Sequence, residues 1–323
     1  MTITRNTFGE SSHTTVLFMF LMYTCLGTVA VLSSLLDILV FIVNRDSRNR
    51  YLLFIVLDFA EIIDGIAYIM CGYGRRKEYH KGLFNTAISF HDCFFTKNWV
   101  IPLIIGTELP ALITIIISTE RITAVMRPKF YANFWRPKVK LLLTVAAIVV
   151  QLISILFAGL SAFNNTELSG TRHCAIINST STVYSTTHFL FVVLAYILSF
   201  ASLLIVQIMI TRWCRGKEAK TVVAHKGPQT KLLLCVTGAA IVLVAMPSVV
   251  MISIRLKMFT VNDVALAITY SGPGLLTIAT TVINFIFRPE YRQQLYKLLR
   301  IKQKDPLTNA FSVKTVNVSY HKR

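Results

Sequence analysis

Seven runs of predominantly apolar residues recur along the chain, at 16–43, 51–71, 99–122, 141–163, 189–210, 232–254 and 264–287. Each is near or above the roughly 20 residues that a helix needs to cross the hydrocarbon of a bilayer. Nothing else in the sequence restricts the fold as strongly. In hydrocarbon a chain must satisfy its backbone N–H and C=O groups internally, and a helix does so within one segment. The runs therefore read as an all-α, seven-transmembrane helix bundle. Composition agrees: with 54% hydrophobic and 15% charged residues, 323 positions supply too little polar surface for a soluble protein of this size.

Charge sets the orientation. With Arg121 counted alongside the loop it borders, 24 of the 33 Lys and Arg lie on one side of the runs, against 9 on the other. The positive-inside bias then places the N-terminus outside and the C-terminus in the cytosol of a multi-pass plasma-membrane protein. Residues 1–15 read as an extracellular N-terminus, 16–287 as the spanning domain, and 288–323 as a short amphipathic C-terminal helix with a cytoplasmic tail. In that helix Tyr291, Leu295, Leu298 and Leu299 alternate with Arg292, Lys297 and Arg300. Arg75-Arg76-Lys77 falls in the first outer loop and weakens the bias there. The first run is longer than a signal-peptide core and lacks a small-residue cleavage site, so it is expected to remain as a span. A net charge of +18 would suggest nucleic acid in a soluble domain. Spread over short loops between spans, it points to the anionic inner face of the lipid bilayer and to no nucleic acid.

The end of the third run carries the most specific pattern. Glu120-Arg121 closes the apolar stretch, and Pro128 stops the helix beyond it. A charge pair at that depth either anchors the helix end against lipid phosphates or marks a functional site. Arg121, Ala124, Val125, Pro128 and Tyr131 stand at the spacing of D-R-Y-x-A-V-x-x-P-x-x-Y, with Glu120 for the acid and Ile122 for the tyrosine. The chain thereby resembles rhodopsin-like G-protein-coupled receptors, and within them nematode serpentine chemoreceptors of the bc class. The resemblance implies a heterotrimeric G protein as partner, a small-molecule ligand, no cofactor and a place in sensory cilia. It also implies that Glu120 restrains Arg121 at rest, with Pro128 and Tyr131 in the same coupling element, and that Cys93 is bridged to Cys174. Cys93 precedes Arg121 by more residues than the family habit, so a short lead-in is expected before the helix.

Other family marks are absent. Ser33 or Ser34 stands where the first span's asparagine belongs, the fourth span lacks tryptophan, and the fifth lacks proline. Only Pro247 remains of the sixth-span element, and Asn284 lacks the proline and tyrosine that usually follow it. Ser271-Gly272-Pro273-Gly274 is expected to break the last span.

Four further features call for partners. Asp58, Glu61 and Asp64 recur at i, i+3, i+6, on one helix face that must turn toward protein or internal water. They form either a cation or proton site, or protonated structural groups, and Asn284 joins them as an intramembrane polar site. Asp37 lies in the first run. Glu108, thirteen residues before Arg121, suits the floor of an outward-opening pocket shared with Tyr270. It meets either a cationic ligand or a polar group on another helix. Asn164 and Asn178 begin glycosylation acceptor patterns in the second outer loop.

Enzyme signatures are missing: there is no H-E-x-x-H, no phosphate-cradling loop, no zinc-type cluster, and no lysine in the last span for retinal. The rival class is a multi-pass transporter or ion channel using Asp37, Asp58, Glu61, Asp64 and Glu108 as a path. The absence of internal repeats speaks against it.

Overall fold

A computed structural model describes residues 13–43, 45–214, 220–258 and 263–299. The N-terminal segment up to residue 12, expected to be extracellular, residues 215–219, and the tail from Arg300 onward, expected to be cytoplasmic, lie outside the described residues.

The described chain is almost entirely helical. In order come α1 (His13–Ile42), α2 (Arg45–Arg50), α3 (Leu52–His80), β1 (Ile88–Ser89), α4 (Phe90–Thr96), α5 (Val100–Met126), α6 (Pro128–Phe134) and α7 (Pro137–Ala162). They are followed by β2 (Leu168–Ser169), α8 (Thr182–Cys214), α9 (Lys220–Ala240), a π-helical turn (Ile241–Ala245), α10 (Met246–Arg255), α11 (Asp263–Tyr270), α12 (Gly272–Phe287) and α13 (Pro289–Leu298). Among the described residues six helical stretches, rather than the expected seven, are long and apolar enough to cross a membrane. The difference lies in the second run. It forms the 29-residue α3, but Asp58, Glu61 and Asp64 make that helix too acidic to qualify by composition.

Packing explains how those acids are tolerated. α3 lies between α1 and α5, and α5 continues the bundle to α8, with α9, α10 and α12 closing back on α1. All three α3 acids are buried. α7 is peripheral, and its Leu142, Leu152, Leu156, Phe157 and Leu160 stay exposed. A continuous apolar flank of this kind suits hydrocarbon rather than water.

Proline and glycine shape the last two stretches. Pro247 has no N–H to offer the carbonyl of Leu243 one turn back. That carbonyl instead faces Gly272, where a Cβ would overlap it. The close approach puts the start of α12 against the π-helical turn, and the expected break falls at Ser271 between α11 and α12.

At the outer end, β1 and β2 pair antiparallel, with Ile88 opposite Ser169. Cys93 sits on the separate α4 and is disulfide-bonded to Cys174, so the lead-in and the bridge stand as the sequence led one to expect. The loop after β2 then dips into the bundle: His173, Cys174, Ala175, Ile176, Ser179 and Thr180 are fully buried. Trp99 Nε1 donates to the Cys174 carbonyl at 3.0 Å, the Ile177 amide donates to Tyr270 Oη at 3.3 Å, and Arg255 donates to the Thr180 carbonyl at 3.0 Å. Arg75 corrects the sequence reading. Instead of lying in an outer loop, it is on the last turns of α3, buried, with Nε donating to the His173 carbonyl at 2.9 Å and its guanidinium over the Tyr23 ring. Lys97 and Arg172 both pair with Glu78, at 2.9 and 3.0 Å. Burial alone would raise that carboxyl, but the two cations outweigh it and hold it below the ordinary range.

Candidate functional site

The lip at the C-terminal end of α5 is built by a turn. Arg127 leaves helical geometry and Pro128 opens α6, so the chain doubles back and Tyr131 returns to Glu120. Tyr131 Oη donates to Glu120 Oε1 at 3.1 Å, and Lys140 Nζ, in the first turn of α7, meets the same oxygen at 2.7 Å. Both members of the ion pair are almost wholly buried, with side chains 5% and 3% exposed. A carboxylate withdrawn this far from water is stable only with partners of this kind. Burial and the neighbouring Glu120 charge raise the Tyr131 phenol. Thus the partners recorded for Glu120 are Lys140 and Tyr131, with Arg121 half-buried one residue on.

Above this lip lies a polar network centred on Asp37 of α1, which is 1% exposed. Asn284 Nδ2 and Thr281 Oγ1 of α12 each donate to Asp37 Oδ2 at 3.1 Å, and the Tyr291 hydroxyl of α13 donates to Oδ1. Asn284 therefore has a defined role, which is to hold the acid of the first span. Arg288, at the junction of α12 and α13, is buried against the rings of Phe41, Tyr51 and Phe54, at 5.3, 4.8 and 4.3 Å. Burial pulls its pKa down to about 10, opposed by Asp37 and Asp58 and assisted by the repulsion of Arg121. The network thus brings α1, α3, α5 and α12 into electrostatic contact. In the same helix as Asp58, Glu61 faces Thr277 and Ser34, and Asp64 packs against Gly106 of α5.

Glu108 occupies a third place. Its Oε2 accepts from Ser154 Oγ at 2.7 Å and Gln151 Nε2 at 3.4 Å, both on α7, and lies 3.3 Å from His188 Nδ1 on α8. Polar groups on two other helices thus stand beside Glu108. Glu108 also borders a cleft of about 500 Å³ between α7 and α8. The buried loop of residues 173–180 lies beside Tyr270 rather than beside Glu108. Tyr270 contacts that loop and does not line the cleft with Glu108. His188 borders the fifth apolar run and Ser154 lies inside the fourth, and as isolated residues neither carries a signal.

The two glycosylation candidates differ in setting. Asn164 is exposed, in a left-handed turn with φ 54°. Asn178 ends a short 3₁₀ turn, half-buried, with Ser179 and Thr180 of its acceptor pattern fully buried. No known protein-family model matches the chain, and no curated protein matches it.

Proposed function

We propose that this chain is a seven-helix, rhodopsin-like receptor that couples an external small molecule to a heterotrimeric G protein, in the manner of the nematode serpentine chemoreceptors it resembles. In this reading α3 is the seventh spanning helix, its acids tolerated because they face protein. The N-terminus lies outside, the α5 lip and α13 lie at the cytosolic face of the plasma membrane, and the natural setting is a sensory cilium.

One observation carries the reading. The signature at the end of α5 closes on itself, with Tyr131 bonded back to Glu120 and Lys140 completing the contact. The lip therefore has a resting restraint joining α5, α6 and α7, beside an arginine. Ligand binding would favour a second packing of the bundle in which the restraint opens and the lip admits a G-protein α-subunit. The test is nucleotide exchange on reporter G proteins at matched surface expression. Glu120→Gln raises basal exchange, and Arg121→Ala abolishes stimulated exchange. Unchanged exchange in both variants sinks the assignment.

A second reading, an ion pathway, is favoured by one feature: Asp37, Asp58, Glu61 and Asp64 are all buried on the neighbouring helices α1 and α3. Ligand-evoked current in cells lacking G proteins separates it from the first.

A further inference from the structure

The cleft between α7 and α8 has walls suited to hydrocarbon and a floor suited to one polar group. Ile153 and Phe157 on α7 and Phe191 on α8 form apolar walls, and Ile153 and Phe157 are themselves exposed on the apolar flank of α7. Its volume of about 500 Å³ falls in the ordinary range for small-molecule sites.

Hydrogen positions on the floor follow from the contacts. The Thr107 hydroxyl donates to the Leu103 carbonyl one turn back, at 2.9 Å, so its lone pair faces His188 Nε2, also at 2.9 Å. Nε2 must then carry hydrogen. A neutral ring would leave Nδ1 as a bare lone pair facing Glu108 Oε2. Nδ1 lies 3.3 Å from Oε2 without hydrogen-bond alignment, and two bare acceptors do not sit together in a dry site, so one of the two groups carries a proton. The pair is electrically balanced, whichever group holds that proton. Ser154 spends its hydrogen on Glu108, so the Tyr184 hydroxyl, 2.9 Å away, must donate to Ser154. The hydroxyl hydrogens of Thr107, Ser154 and Tyr184 are committed. What remains is acceptor capacity, on the Tyr184 oxygen and on Glu108, whose recorded contacts all fall on Oε2.

We propose that this cleft binds an uncharged lipophilic alcohol that enters from the bilayer, its hydroxyl donating to Glu108 or Tyr184 and its apolar body lying along Ile153, Phe157 and Phe191. A cationic head is disfavoured because it would add an unbalanced charge to a floor already neutral. A plain hydrocarbon leaves the acceptors unmet. The proposal does not depend on G-protein coupling, since it is read out as binding.

The experiment uses the full chain in lipid nanodiscs and a long-chain alcohol bearing a photoactivatable diazirine, with labelled residues mapped by mass spectrometry. Saturable labelling of the α7 and α8 flank is expected, displaced by decanol at concentrations about tenfold lower than by decane or decylammonium, the size of effect one such hydrogen bond gives. Ile153→Trp fills the cleft from its exposed side and removes the labelling with thermal stability retained. Tyr184→Phe reduces the preference for decanol over decane while leaving apolar binding in place. Equal displacement by decane identifies a slot filled by any acyl chain and overturns the proposal. Stronger displacement by decylammonium, or undiminished labelling of Ile153→Trp, overturns it as well.

Discussion

Acidification should loosen the plug that the second outer loop forms at the outer end. His173 is fully buried, neither ring nitrogen has a hydrogen-bond partner among the described residues, and the Arg75 cation lies beside it. Burial, followed by that cation, holds the imidazole well below its ordinary 6.5, so it stays neutral while packed. The sign follows directly. With a depressed folded pKa, the stabilisation is full above 6.5 and is lost as pH falls, because only the opened loop takes up the proton. Between pH 7.5 and 5.5 the loss is about 1.4 kcal/mol, or roughly a tenfold rise in the open population. Hydrogen exchange of the Cys174–Ser179 amides, corrected for intrinsic rates and read against α5 as internal control, measures it. His173→Asn removes this increment. An identical pH dependence in wild type and variant would refute the burial of His173 as its cause.

Three further outcomes follow from particular contacts. Gly106→Ala places a Cβ 2.6 Å from the Asp64 Cα, so α3 and α5 must separate, at a cost of about 1–3 kcal/mol seen as lowered thermal stability and surface expression; unaltered stability would show that the helices are not in this contact. Glycosidase treatment should remove a single glycan, absent from Asn164→Gln and present in Asn178→Gln, because the buried Ser179 and Thr180 keep the second acceptor inside the plug; two glycans on folded protein contradict that placement. Cys93→Ser and Cys174→Ser should lower surface expression alike, with the double variant no worse than either, and additive losses would mean separate roles.

Local sequence made much of the bundle readable. Apolar length gave the helices, Ser271-Gly272-Pro273 gave the break before α12, and the i, i+3, i+6 spacing put Asp58, Glu61 and Asp64 on one buried face. What escaped depends on contacts remote in sequence. Lys140, Arg75 and Arg288 look like loop or tail cations, yet each turns inward to a partner: Glu120, the His173 carbonyl, and the rings of Phe41, Tyr51 and Phe54. Asp37 stands as a lone acid in the first run until Asn284, 247 residues away, supplies its donor. The apolar triplet Ala175-Ile176-Ile177 was the one local hint that the outer loop is buried. The three buried acids also set α3 apart from the six stretches that are apolar enough to cross a membrane.

The restraint at the α5 lip is tested most directly by reversing its charges. Glu120→Lys and Lys140→Glu each leave a like-charged buried pair, and breaking such a pair is worth about 3–5 kcal/mol, enough to raise basal G-protein nucleotide exchange at least tenfold. The double variant Glu120→Lys/Lys140→Glu restores the pair and should return basal exchange to near the wild-type level at equal surface expression. If the double variant is as active as the singles, or if all three match wild type, the lip does not hold the receptor at rest.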